Sequence, residues 1–259
     1  MDAVDSQCVN EQTLAPFIFN MQRDLDALTG VSLFSCAFNI KHYTHSLFDQ
    51  LNVNCPPSVK ASVIKRQAEF LAGRYAARSS LLQIKPHITQ PIEIKIGINR
   101  SPIWPQYFIG SITHSRSKAI AVSKQNYDLN DPKDYIGVDV EDIIDVNLIS
   151  EFERSIYTHR DRNIALTSDL PPNIVMTLIF SAKESLFKAI HPFVGEYFGF
   201  EKARVSKLDV ATKLIELRLD SQFANKHKLQ TDYLCRFEID KDSVFTIMFN
   251  NVEIFQMPS

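Results

Sequence analysis

Tyr135-Ile136-Gly137-Val138-Asp139-Val140-Glu141-Asp142 is the stretch around which this 259-residue chain is organised. Ile136, Val138 and Val140 alternate with Gly137, Asp139 and Glu141, the period of two that marks a strand with one buried face. Asp139 and Glu141 then point the same way, about 7 Å apart at the backbone. Two carboxylates so placed on a stiff support can converge on a hard divalent cation such as Mg²⁺. Gly137, on the same face, leaves room beside them for a bulky group.

Downstream of this stretch, Asn147 to Tyr157 reads as a short helix capped at Asn147, and Thr158 to Pro172 as a polar, mobile segment. Asn173 to Ile190 is the strongest helix of the chain. Val175, Leu178, Ile179, Ala182, Leu186, Ala189 and Ile190 form its apolar stripe, and Pro192 is expected to limit its end. Phe180, Glu184 and Lys188 follow one another every four residues on the far side, with Lys183 flanking the stripe. On spacing alone Glu184 and Lys188 are a surface ion pair, worth a few tenths of a kcal/mol. The tail is strand-rich: Val205 to Leu219, then a hairpin of Tyr233 to Ile239 with Val244 to Phe249.

Upstream, the polar run Gln125 to Asp134, with Asp131-Pro132, marks a boundary between residues 1–134 and 135–259. The first thirty residues are poorly periodic apart from an apolar patch at Leu14 to Phe19. Val31 to Ile40 is a strand and Asn52 to Ser58 a loop. Lys60 to Leu82 is a helix whose stripe is Ala61, Ile64, Ala68, Leu71, Ala72, Tyr75 and Leu82. Its opposite face carries Arg66, Phe70, Gly73, Arg74 and Ala77, a second contact surface where guanidiniums can meet an anion. Arginines paired with Glu69 in water are the plainer alternative. Ile92 to Ile98 alternates as a strand, Asn99 to Pro105 is irregular, and Ala119 to Ser123 is a further strand. Between them, Gly110-Ser111-Ile112-Thr113-His114-Ser115 has the composition of a phosphate-holding turn.

Composition sets the frame. Hydrophobic residues make up 45% and charged residues 22%, with a formal charge of −2, values of an ordinary globular protein with no general reason for a nucleic-acid partner. No apolar run reaches the length of a membrane span, and Met1 to Asp5 lacks the basic start of a secretory signal. Cys8, Cys36, Cys55 and Cys235 are scattered, as expected of reduced thiols in a cytoplasmic protein. No nucleotide loop of the Walker or Rossmann kind is present.

Four stretches, taken in order, resemble one family. Gly137-Val138-Asp139-Val140-Glu141 and Phe180-Ser181-Ala182-Lys183-Glu184-Ser185-Leu186-Phe187-Lys188 are similar to the paired signatures of the 4'-phosphopantetheinyl transferases. Lys65 to Arg78 and Arg100-Ser101-Pro102-Ile103-Trp104-Pro105, the latter followed by Gly110 to Ser115, resemble the longer branch of surfactin and enterobactin synthesis. The resemblance covers about Lys65 to His191. Phe180 stands where many members have Trp, and Thr113 where many have Ser.

The resemblance implies an α+β fold of two similar halves packed as a pseudo-dimer within one chain, a monomer meeting near Asp134. Coenzyme A would lie in the cleft, and the phosphopantetheine arm would pass to a serine of an apo acyl or peptidyl carrier protein. Asp139, Glu141 and Glu184 would hold Mg²⁺. Glu184 and Lys188 would be the catalytic pair, Glu184 as ligand, base or both and Lys188 on the pyrophosphate. Arg66, Arg74 and His114 would bind the nucleotide end, with Arg100 as a further candidate. The rival readings are another Mg²⁺-dependent phosphoryl or nucleotidyl transferase, and an inactive module that only binds carrier proteins.

Overall fold

Two runs of alternating apolar residues, each interrupted by one long helix, generate the architecture of this computed structural model. Residues 16–86, 92–128, 131 and 134–255 are described; Met1 to Asp5, Cys8, Leu14 and Pro132 lie outside the described residues. In the first half, β1 (Ile18–Leu25), β2 (Ser32–Phe38), β3 (Phe108–His114) and β4 (Lys118–Gln125) form an antiparallel sheet of order β1-β2-β4-β3. Helix α1 (Ile64–Ile84) crosses its face. In the second, β5 (Ile136–Asp142) precedes helices α2 (Ile149–Ile156), α3 (His159–Thr167) and α4 (Pro172–Val194). Strands β6 (Ala203–Asp209), β7 (Leu214–Leu219), β8 (Asp232–Ile239) and β9 (Ser243–Phe249) complete a sheet of order β5-β9-β8-β7-β6. Both halves share one scheme: a strand, a long helix, and a returning strand that pairs antiparallel with the first (β2-α1-β4 and β5-α4-β9).

The period-two pattern of β5 is used on both faces. Ile136, Val138 and Val140 join Leu33, Ile120 and Val122 of the first sheet and Phe245 and Ile247 of β9 in a core between the halves. Gly137 and Asp139 are buried on the opposite side. There α4 lies against the strand, and a methyl at Gly137 would run into the Ser185 carbonyl and Ala189. The room beside the carboxylates is therefore taken by the helix itself. Small residues allow this close approach, and the polar ones among them are satisfied. Ser181 and Ser185 hydroxyls lie 2.8 and 2.7 Å from that of buried Thr246.

Helix α1 is also enclosed on two sides. Ala68, Leu71, Ala72 and Tyr75 are buried as the stripe predicts, but so are Phe70, Gly73 and Ala77 of the opposite face. It begins at Ile64, which is exposed; Pro57–Lys60 is a separate turn, cut off by extended Val63.

Several expectations are corrected. Gly110 to Ser115 is no turn: it continues β3 up to His114. Ile92 to Ile98 forms only a two-residue ladder, Lys95–Ile96 against Pro102–Ile103, as the chain turns away through left-handed Asn99 and Arg100. The polar segment after Thr158 folds into α3 through a capping box of Thr158 and Asp161. The cap expected at Asn147 is supplied by Asp145, which accepts from the Asn147 N–H at 2.9 Å. Pro192 sits within the last turn of α4, which runs on until Gly195 reverses it at φ +73°. The strand-rich stretch expected from Val205 to Leu219 is present, as β6 and β7.

Candidate active site

Strands β3 and β5 are the facing edges of the two sheets, and side-chain hydroxyls stitch them together. The Val138 N–H donates to Ser111 Oγ (3.1 Å) and the Val140 N–H to Thr113 Oγ1 (3.2 Å). Thr113 in turn donates to Asp139 Oδ1 at 3.0 Å. The hydroxyl-rich segment thus binds the other half of the protein, and it carries His114 to the same seam.

Asp139 is 2% exposed. Lys188, seven residues beyond Ser181 on α4, reaches its Oδ1 at 2.6 Å and the Val138 carbonyl at 3.1 Å. Asp139 Oδ2 is buried without a hydrogen-bond partner among the described residues. Glu141 and Glu184 are half-buried nearby. Burial, then the charges of Asp139, Glu184 and Asp142, push the Glu141 carboxyl up to about 8 against the pull of Lys188. Burial and Asp139 likewise raise Glu184, again opposed by Lys188. Beyond burial, the charge of Asp139 acts on both glutamates, and Lys188 does not offset the rise in either. Still, among the described residues no three His, Cys, Asp or Glu side chains are gathered closely enough to hold an ion. The expected Asp139, Glu141 and Glu184 set is an electrostatic cluster rather than a ready-made cage. That fits Mg²⁺ chemistry, in which one or two carboxylates act together with water and ligand phosphates; the orphaned Oδ2 is the hard oxygen donor such an ion takes.

The cationic residues meet in the first half. A cavity of about 320 Å³ is lined by Arg66, Arg74, Arg100 and His114, with Glu69, Phe70, Gly73 and Ile112 among its walls. Burial and the charge of Arg66 lower Arg74 to about 10. Its guanidinium lies 4.8 Å from the centre of the Phe70 ring, and its buried Nε has no partner among the described residues. Two guanidiniums brought together beside one carboxylate, one of them with an unpartnered Nε, are able to meet an anion. His114 is lowered by burial; Glu69 and Asp139 raise it, while Arg66 and Lys188 lower it further. It therefore stands at the junction of the arginine pocket and the acidic cluster. Arg100, exposed and left-handed at φ +64°, also borders a cavity of about 420 Å³ that contains Glu184, Phe187, Phe198 and Phe200. Arg100 thus borders both the arginine pocket and the aromatic wall at the end of α4.

With this geometry in view, the comparisons with known proteins are decisive. Residues 56–124 match the 4'-phosphopantetheinyl transferase N-terminal domain, and residues 135–241 match the 4'-phosphopantetheinyl transferase superfamily. The chain belongs to the 4'-phosphopantetheinyl transferase superfamily. The two matches in succession make it a member of the long, two-half type. It is 37% identical over 161 residues to enterobactin synthase component D of Salmonella typhi, covering 62% of each chain. To the 4'-phosphopantetheinyl transferase PptT of Mycobacterium tuberculosis it is 29% identical, over 58% of this chain and 62% of the relative. To Npt of Nocardia iowensis it is 28% identical, over 57% and 62%. The chain thus spans about three-fifths of the length of these curated relatives. No helix among the described residues is long and apolar enough to cross a membrane.

Two features around the candidate site were not visible in the motifs. Thr113 contacts Asp139 across the seam, which strand spacing in one half does not reveal. Lys183, taken as flanking a helix stripe, is buried and paired with Asp161 at 2.6 Å. The signal for Asp161 was present as Thr158-x-x-Asp161, a capping-box pattern.

Proposed function

We propose that this chain transfers the 4'-phosphopantetheine arm of coenzyme A to a serine of an apo acyl or peptidyl carrier protein, releasing adenosine 3',5'-bisphosphate. The observation that carries the reading is the place of His114, which lines the arginine cavity and directly follows Thr113, the residue that donates to Asp139. A ligand with a terminal phosphate and a separate pyrophosphate matches that pair of neighbouring sites. Arg66, Arg74 and His114 bind the 3'-phosphate, with Arg100 at the mouth of the pocket. Oxygens of Asp139, Glu141 and Glu184 would hold Mg²⁺, which supplies neutralisation of the phosphoanhydride charge.

The side chains do the rest. Glu184 sits on a helix fixed against β5, and its carboxylate serves as an oxygen donor to the ion, as the base for the incoming serine, or as both. The serine Oγ forms a bond to the phosphorus that bears the pantetheine arm. The bond from that phosphorus to the bridging oxygen breaks, and its electron pair leaves with adenosine 3',5'-bisphosphate. Lys188 stabilises negative charge that grows on the phosphates. A monomer working in the cytoplasm belongs to the same reading. The relatives named for enterobactin synthase make a carrier protein from such an assembly the first to try.

The test is incubation with coenzyme A, Mg²⁺ and apo carrier proteins, followed by intact-mass measurement of the carrier. A gain of one phosphopantetheine arm is expected; no gain across several unrelated carriers sinks the transferase reading. Arg74→Ala should weaken coenzyme A about 10-fold or more but dephospho-coenzyme A little. Equal losses would remove Arg74 from the 3'-phosphate site.

A further inference from the structure

Of the two hydroxyls that stitch β3 to β5, only one touches the acidic cluster. Ser111 Oγ accepts from Val138 N–H. Thr113 Oγ1 accepts from Val140 N–H in the same way, and its single hydrogen goes to Asp139 Oδ1. Lys188 Nζ donates to that same oxygen. Both groups are enclosed, Thr113 at 4% exposure and Asp139 at 2%. Oδ1 thus receives two donors, while buried Oδ2 has no partner among the described residues.

We propose that Thr113 is a positioning residue of the cation site, fixing which oxygen of Asp139 meets the ion. The inference rests on the reading of Asp139 as a Mg²⁺ ligand. Its physical basis is the usual dependence of a ligating carboxylate on outer hydrogen bonds that set its orientation. Here the outer group comes from the first half and the ligand from the second. The affinity of the site for its ion therefore depends on the fit between the halves, through one hydroxyl. Ser111 supplies the internal control, since it joins the same strands without reaching the carboxylate.

The experiment measures Mn²⁺ affinity by electron paramagnetic resonance, using full-length protein with coenzyme A and no carrier, so that no turnover is involved. Thr113→Val, nearly isosteric, should weaken Mn²⁺ binding ~10–100-fold, while Thr113→Ser keeps it within ~3-fold of the parent. Ser111→Ala, which leaves the Val138 N–H unpaired as Thr113→Val leaves that of Val140, should lower the melting temperature yet leave Mn²⁺ affinity unchanged. The proposal is overturned if Thr113→Val binds Mn²⁺ like the parent, or if Ser111→Ala or Thr113→Ser weakens it equally. A parent protein that transfers the arm but binds no Mn²⁺ also overturns it. A parent that binds Mn²⁺ in this pattern yet modifies no carrier leaves it standing and removes the transferase reading instead.

Discussion

Helix α4 presents two lysines to two aspartates at the same distance, and the two pairs have become different things. Lys183 Nζ meets Asp161 Oδ2 at 2.6 Å, the Ile156 carbonyl at 2.8 Å and the Phe200 carbonyl at 3.3 Å. Asp161 is satisfied in turn, accepting from the Thr158 and Val205 N–H groups at 2.6 Å each. The two side chains are 1% and 0% exposed. Lys188 also meets its aspartate, Asp139, at 2.6 Å, but it is 25% exposed and leaves Asp139 Oδ2 orphaned. A pair whose hydrogen-bonding capacity is filled inside the protein is a staple, here joining α2, α3, α4 and β6. A pair that keeps an unfilled carboxylate oxygen near two strained acids is equipped for an outside ligand.

The largest effect is expected at the staple. Removing one partner of a buried ion pair strands the other, and burial already lowers the Lys183 ammonium. Lys183→Met should cost about 3–5 kcal/mol, a fall of roughly 6–20 °C in Tm by calorimetry. A melting point within a few degrees of the parent would dissolve the distinction between the two pairs.

Lys188→Met should reverse the pattern. Lys188 itself is partly hydrated and Thr113 still donates to Asp139, so the stability loss should be near 1–2 kcal/mol. Transfer at saturating coenzyme A and carrier, however, should drop about 10²–10³-fold, the size expected when a charge-stabilising donor is lost. If kcat survives while Tm collapses, Lys188 is the staple and the assignment is inverted.

This contrast also shows what the sequence could and could not reveal. Local periodicity found both long helices, because α1 and α4 bury stripes of Ala and Leu at helical spacing. It found β5 for the same reason, and the motifs located Asp139, Glu184 and Lys188 on those elements. The arginines of α1 were legible as a face because Phe70 and Gly73 are out of place on a solvated surface. What escaped were relations between elements. Gly137 looked like space for a ligand, whereas it is space for the backbone of α4. Thr113 looked like a phosphate binder, whereas its hydroxyl is used across the seam. Lys183 and Lys188 are five residues apart on one helix, and only the packing of α3 and β6 around the first separates their roles.

The smallest effect concerns Glu141, and it tests the strained side of the comparison directly. Its carboxyl is raised from 4.5 to about 8 in the folded protein, through burial first and then the neighbouring acids. Between those values the folded state keeps a proton that the unfolded state has released. Stability must then fall as pH rises across the interval, since the unfolded chain binds fewer protons there. The contribution is complete below about 4.5 and gone above about 8. Discounted for partial exposure, it should amount to roughly 1–2 kcal/mol, or about 2–8 °C in Tm, between pH 6 and pH 9 without metal. Glu141→Gln, neutral throughout, should flatten this part of the profile and melt above the parent at pH 9. Adding Mg²⁺ should raise the parent's Tm more at pH 9 than at pH 6, because a cation competes with the proton for the carboxylate. The Lys183–Asp161 pair, filled from within, should show no such response. A parent whose Mg²⁺ stabilisation is equal at both pH values would mean that Glu141 is crowded by its neighbours without belonging to the ion's site.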